Sequence, residues 1–214
     1  MNKQKFFIII CLLAVCMTRF SQSRRRRVPT RNHYINLNYV QTKIDQSPRW
    51  PEIKSEWGAG FTVGQTFYLH KKPIGGFMKF GIDATWFDIN YTNHNIPGSK
   101  QEKKDKEEVL HEAEVSMGVG PSLTFTPVKE LNIHGYFRYA PTCSALYAGD
   151  DISVNYASMF VGGASLSFGV IGVGIESRWG DAKHYPIELE GINDDGDRLK
   201  TKFNGMRAYV TFRF

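Results

Sequence analysis

The chain has 214 residues, of which 42% are hydrophobic, 22% charged and 14% aromatic, and its formal net charge is +6. Those values describe a chain able to fold as one ordinary domain and exclude a disordered or collagen-like polymer; three cysteines are too few for a disulfide scaffold. A mean hydropathy of −0.34 looks soluble, and beyond the N-terminus no apolar run approaches the roughly 18 residues of a membrane helix.

Lys3 and Lys5 precede an apolar stretch over residues 6–17, and Ser21 and Ser23 supply small residues at the −3 and −1 positions of a cleavage after residue 23. Residues 1–23 are therefore expected to be a secretory signal peptide, too short to span a bilayer. Leu13-Ala14-Val15-Cys16 has the outline of a lipoprotein processing box, but Val15 is bulkier than the small residue such a box places before its cysteine. Loss of the signal removes Lys3, Lys5 and Arg19 and no acid, which leaves +3, and the four arginines at 24–27 outweigh even that. From Val28 onward the chain carries about −1, so no basic surplus remains to bind a nucleic-acid backbone. Residues 24–32 read as a solvated basic tail. Cys143 is left as the single cysteine of the mature chain, which precludes an internal disulfide.

From His33 onward the pattern alternates with period two in eight segments: 33–43, 57–69, 78–91, 111–125, 131–140, 157–168, 171–180 and 204–214. Their length suits tilted transmembrane strands. Connections after the second, fourth and sixth are short, while those after the first, third, fifth and seventh are long and rich in turn formers. The spacing predicts an all-β, eight-stranded antiparallel up-and-down transmembrane β-barrel over 33–214, with short periplasmic turns and four long extracellular loops.

Face polarity decides which side of that barrel meets lipid. In the fourth segment Ala113, Val115, Met117, Val119, Pro121, Leu123 and Phe125 share one face; Glu112, Glu114, Ser116, Gly118, Gly120, Ser122 and Thr124 share the other. A soluble barrel turns its bulky apolar face inward. Here the second face combines glycines with ionisable groups of both signs, which suits a narrow wet lumen, and the apolar face then meets lipid, where a closed barrel satisfies every backbone group. Trp57, Trp86 and Trp179 fall on the apolar face beside long loops and are expected to form an aromatic girdle at one interface. Phe67, Phe125, Phe168 and Phe214 at the short-turn ends would form the other. Gln65 is a misfit on the apolar face, tolerable at a bulge or near an interface.

The ending Ala208-Tyr209-Val210-Thr211-Phe212-Arg213-Phe214, the segment 118–125 leading to Tyr136-Phe137-Arg138-Tyr139-Ala140-Pro141-Thr142, and the echo of 116–125 in 158–168 together resemble the small outer-membrane β-barrel proteins of Gram-negative bacteria. The resemblance is to porin-like proteins of the Bacteroidetes type, with a barrel like those of OmpA and OmpX. It implies location in the cell outer membrane, contact with outer-membrane lipid including lipopolysaccharide, and a C-terminal assembly signal at Val210, Phe212 and Phe214 read by the barrel-assembly machinery.

Some barrels of this kind are enzymes, and a lipid-A-deacylase-like site would require a His and a Ser close together on one strand face with an acid to orient the His. No His-x-Ser occurs at any of the six histidines. His134 is expected to face inward as a hydrogen-bonded group near Arg138. The acidic segment 193–197 lacks calcium-loop spacing and reads as a turn, so no catalytic residue, metal ligand or cofactor is assigned. The informative polar set is Asp83, Glu112, Glu114, Arg138, Glu176, Arg178 and Arg207, all expected in the lumen in the half nearer the long loops. Carboxylates of the third and fourth strands would meet arginines of the fifth, seventh and eighth in a network that plugs the barrel. The expected function is non-enzymatic, with the loops serving adhesion, envelope integrity or recognition of an extracellular ligand; the alternative is a narrow channel for ions or very small solutes, and a lipid-A-modifying enzyme is a third reading.

Overall fold

A computed structural model of the chain describes residues 31–45, 53–95, 109–148, 151–183 and 200–214. The expected signal peptide, the tail residues 24–30, the charged run 100–108 and the acidic segment 193–197 lie outside them. Eight strands follow in chain order: β1 (His33–Asp45), β2 (Ile53–Tyr68), β3 (Met78–Asn95), β4 (Val109–Val128), β5 (Leu131–Ala148), β6 (Asp151–Phe168), β7 (Ile171–Lys183) and β8 (Lys200–Arg213). Each pairs antiparallel with the next, and β8 pairs with β1 to close the barrel. His33 and Phe214 exchange backbone hydrogen bonds of 3.1 and 3.0 Å at the lower end of that seam. Their rings stack with centroids 5.9 Å apart.

The walls lean. Partner-to-partner steps lead from His33 through Gln65, Ala84, Val119, Tyr139, Phe160, Trp179 and Asn204 to Lys43, ten residues higher on β1. A stagger of that size on eight strands corresponds to a tilt of about 40° and an interior that side chains fill. Long, β-branched and aromatic side chains at alternate positions supply the outer face. Leu37, Phe61, Ile82, Val119, Phe137 and Val173 are all exposed there.

The strands begin at the expected short turns but run further toward the other end. β5 continues through Pro141 to Ala148 and β6 starts at Asp151, with Ala148 and Asp151 paired, so only residues 149–150 separate two strands expected to be joined by a long loop. The alternation persists because Thr142 and Ser144 stay buried while Cys143 and Tyr147 stay exposed. A proline lacks the N–H a ladder needs. The β4–β5 pairing skips residues, at unchanged register, between Ser116↔Thr142 and Val119↔Tyr139, beside Pro141, and again between Val119↔Tyr139 and Ser122↔Tyr136, beside Pro121. Both prolines thus share one seam. At the same place Gly120 lets the chains approach, since a Cβ there would collide with the Phe137 carbonyl oxygen.

A second irregularity reorients β3. Its register with β4 shifts between Thr85 and Asp88, and Trp86 and Phe87 are both exposed. This bulge reverses the phase of the strand: Asp83 and Thr85 point inward below it, and Asp88, Asn90, Thr92 and His94 point inward above it. Gln65 faces outward opposite His33, three residues from the end of β2, where its amide is close to the polar boundary.

Candidate functional site: the charged lumen

The inward row of each strand delivers polar groups to a space without room for bulk water. Asp83, Glu112, Glu114, Arg138, Glu176, Arg178 and Arg207 are each at most 5% exposed. Buried charges at this density require partners, and the strands bring them together in three tiers.

Glu176 of β7 organises the middle tier. It accepts from Arg138 Nη2 at 2.7 Å, pairs also with Arg207, and accepts the Tyr136 hydroxyl at 2.8 Å. Arg207 reaches across to Asp88 with two donors at 2.8 and 2.9 Å and to Asn90 Oδ1 at 2.9 Å. This forked geometry is the strong form of the interaction. Thr62 donates to Asp88 at 3.0 Å and Asn38 to Thr62 at 2.8 Å, which extends the chain of contacts to β1 and β2. Asp88 was not among the residues expected in the lumen, because strict alternation through Trp86 would turn it toward lipid.

The lower tier centres on Asp83. It accepts from Tyr34 at 2.7 Å and Thr66 at 2.8 Å, and lies 3.5 Å from Arg138 and 3.3 Å from His134 Nε2. His134 is held from its other side by Thr124 at 2.8 Å. Arg138 also donates to Tyr34 at 3.2 Å and to Thr85, and its guanidinium lies 4.0 Å from the centre of the Tyr136 ring. Asp83 therefore corrects the expectation for the set: it sits toward the short-turn end, five residues into β3, rather than in the half nearer the loops.

The upper tier holds one more ion pair and one contact of another kind. Arg178 pairs with Glu114 at 2.5 Å and contacts Met159 Sδ at 3.3 Å. Glu112 is fully buried, with His94 Nε2 at 3.0 Å and Thr92 Oγ1 at 3.2 Å as its side-chain partners. Thr92 also lies 3.1 Å from His94 Nε2. A nucleophile–His–acid relay needs the hydroxyl and the acid on opposite ring nitrogens; here both meet Nε2. Among the described residues no group of three or more His, Cys, Asp or Glu is placed to hold a metal.

The outer wall carries the aromatic residues at more than one level. Trp57 packs against Tyr91 at 5.7 Å, and Trp179 against Phe137 at 5.9 Å. Trp86, expected to join them beside the loops, instead makes an edge contact of 6.1 Å with Phe67, the penultimate residue of β2 at the short-turn end. The cause is the length of β3, which continues to Asn95, so that Trp86 falls mid-strand within the belt. Phe67, Phe168 and Phe214 are exposed at the lower rim. A closed antiparallel barrel with a charged interior and an exposed apolar belt is a transmembrane barrel of the outer-membrane type.

No protein-family model matches the chain, and no curated protein matches it. Solved structures similar to it include Neisserial surface protein A, at 11% identity and a TM-score of 0.45 over 85% of this chain and 97% of that one. The attachment invasion locus protein Ail of Yersinia pestis gives 9% identity and 0.41 over 86% and 100%. The outer membrane protease OmpT from Escherichia coli gives 8% identity and 0.44 over 90% and 99%. Likeness at this level spans proteins of different activities and assigns none of them. The lumen and belt themselves identify the chain as a small outer-membrane β-barrel protein.

Proposed function

We propose that this barrel is non-enzymatic and closed to solutes, and that its extracellular ends act in adhesion, envelope integrity or recognition of a ligand outside the cell. The observation that carries the reading is Glu176 held between Arg138 and Arg207 in the middle of the lumen. Opening a path there means separating desolvated ion pairs, for which nothing in an eight-stranded interior compensates. The shared Nε2 at His94 supports the non-enzymatic part. Assembly into the outer membrane is read from Val210, Phe212 and Phe214 by the barrel-assembly machinery, and the belt contacts lipid that includes lipopolysaccharide.

Planar-bilayer recording of the purified full-length protein tests closure. Electrical silence in the native protein, with current appearing in Glu176→Gln, agrees with a plug. Stable native currents whose ion selectivity changes in Glu114→Gln would instead establish a narrow channel with a charged filter.

A further inference from the structure

The turn between β2 and β3 is closed by a side chain. It spans residues 69–77, whereas the other two connections at this end are residues 129–130 and 169–170. Leu69 N–H donates to the Phe80 carbonyl at 3.0 Å, so Phe80 directs its main-chain groups toward β2. The Phe80 N–H then donates at 3.0 Å to His70 Nε2, where a ladder would offer a carbonyl. The same ring meets the Lys72 carbonyl through Nδ1 at 2.6 Å. A carbonyl only accepts and a backbone N–H only donates, so Nδ1 carries the proton and Nε2 a lone pair. The two contacts thus require a neutral imidazole in one tautomer. Beyond it the chain folds back through Gly75 and Gly76, both at positive φ. The Phe77 carbonyl accepts from Thr126 N–H of β4 at 2.7 Å, which ties the turn to the next hairpin.

We infer that His70 is a proton-operated latch on this turn. Protonation puts a second N–H on the ring, at the atom that must accept from Phe80, so two donors face each other and the bond is lost. The open turn then binds a proton that the closed turn excludes, and closure weakens as pH falls. His70 is half-buried and within reach of solvent protons. The titratable groups around it are Lys71 and Lys72 in the turn, Tyr68 on β2, Lys79 on β3, His33 at the foot of β1, and Lys129 and Glu130 in the β4–β5 turn. The Lys79 ammonium stands 4.9 Å over the Tyr68 ring. The three lysines of the hairpin share the sign of a protonated imidazole, which favours release over a second cation held in place. Acid therefore loosens residues 70–77 and leaves the β2–β3 ladder from Tyr68↔Gly81 upward intact.

Solution NMR of the folded, isotope-labelled full-length protein in detergent micelles tests the latch. At about pH 8 the His70 ring should show a protonated Nδ1 and a bare Nε2. From there to about pH 5, the range in which imidazole ordinarily titrates, the Phe80 amide resonance should move with the His70 midpoint. Amide protection across 70–77 should fall about tenfold, the factor supplied by loss of one ordinary hydrogen bond, while that of β6 stays constant. In His70→Ala, shown to be folded by heat-modifiable migration, the turn should be poorly protected throughout and the Phe80 amide should not respond to pH. A proton on Nε2 at the higher pH overturns the inference. So does a Phe80 amide that stays still over the whole range, or one that keeps its native pH response in His70→Ala.

Discussion

The ion-paired lower and middle lumen and the Glu112 corner at its top answer the same problem differently. Below, Asp83, Asp88 and Glu176 meet Arg138 and Arg207 in direct pairs, several of them shared. At the top, Glu112 meets a histidine and a threonine. The first arrangement locks strands through opposite charges that neither side can lose alone. The second is a hydrogen-bonded corner whose members tolerate a neutral replacement. A buried charge is thus costly to strand, and cheap to replace where its partners can bond an amide equally well.

Substitutions that remove one member of each arrangement should separate them sharply. Arg207→Ala strands Asp88 and deprives Glu176 of one of its two cations; a loss of about 3–5 kcal/mol is expected in urea unfolding from lipid vesicles, and a loss under 1 kcal/mol would show that the lumen hydrates its charges individually. Arg178→Ala leaves Glu114 without its 2.5 Å partner and should cost about 3 kcal/mol by the same measurement. Removal of one neutral bridge is a smaller event. Tyr34→Phe, which deletes the hydroxyl between Asp83 and Arg138, should cost about 1–1.5 kcal/mol.

Glu112→Gln should change stability by about 1 kcal/mol or less in either direction, because an amide can still bond His94 and Thr92. A penalty as large as that of Arg207→Ala would erase the distinction between the ion-paired carboxylates and the Glu112 corner. The smallest effect is optical. In single-tryptophan variants, Trp86 fluorescence should be quenched most by lipids brominated deep in the acyl chain, and Trp57 and Trp179 by lipids brominated near the head group. Equal quenching depth for all three would restore a single ring of indoles.

Period-two alternation made most of this architecture readable, because one face of every strand must satisfy lipid and the other a narrow polar interior. Glu114, Arg138 and Arg207 could be oriented from their neighbours alone. The doubled aromatic Trp86-Phe87 was the available sign of a phase change in β3, and passing over it hid Asp88, Asn90 and His94 from the lumen. The alternation expected over 131–140 stops one residue short of Pro141, yet β5 runs on to Ala148. The gap beside that proline in the β4–β5 pairing absorbs the missing donor. Pairing itself was out of reach. Whether Glu176 meets Arg138, Arg207 or both depends on strand stagger, which period-two patterning does not encode.

The seam between β1 and β8 has a kinetic consequence. Its hydrogen bonds join the two strands most distant along the chain, so closing it pays the loop entropy of nearly the whole barrel in one step. Every shorter piece presents two open strand edges to a solvent that cannot satisfy them. Insertion is therefore expected to be concerted, with the His33–Phe214 contact among the last to form.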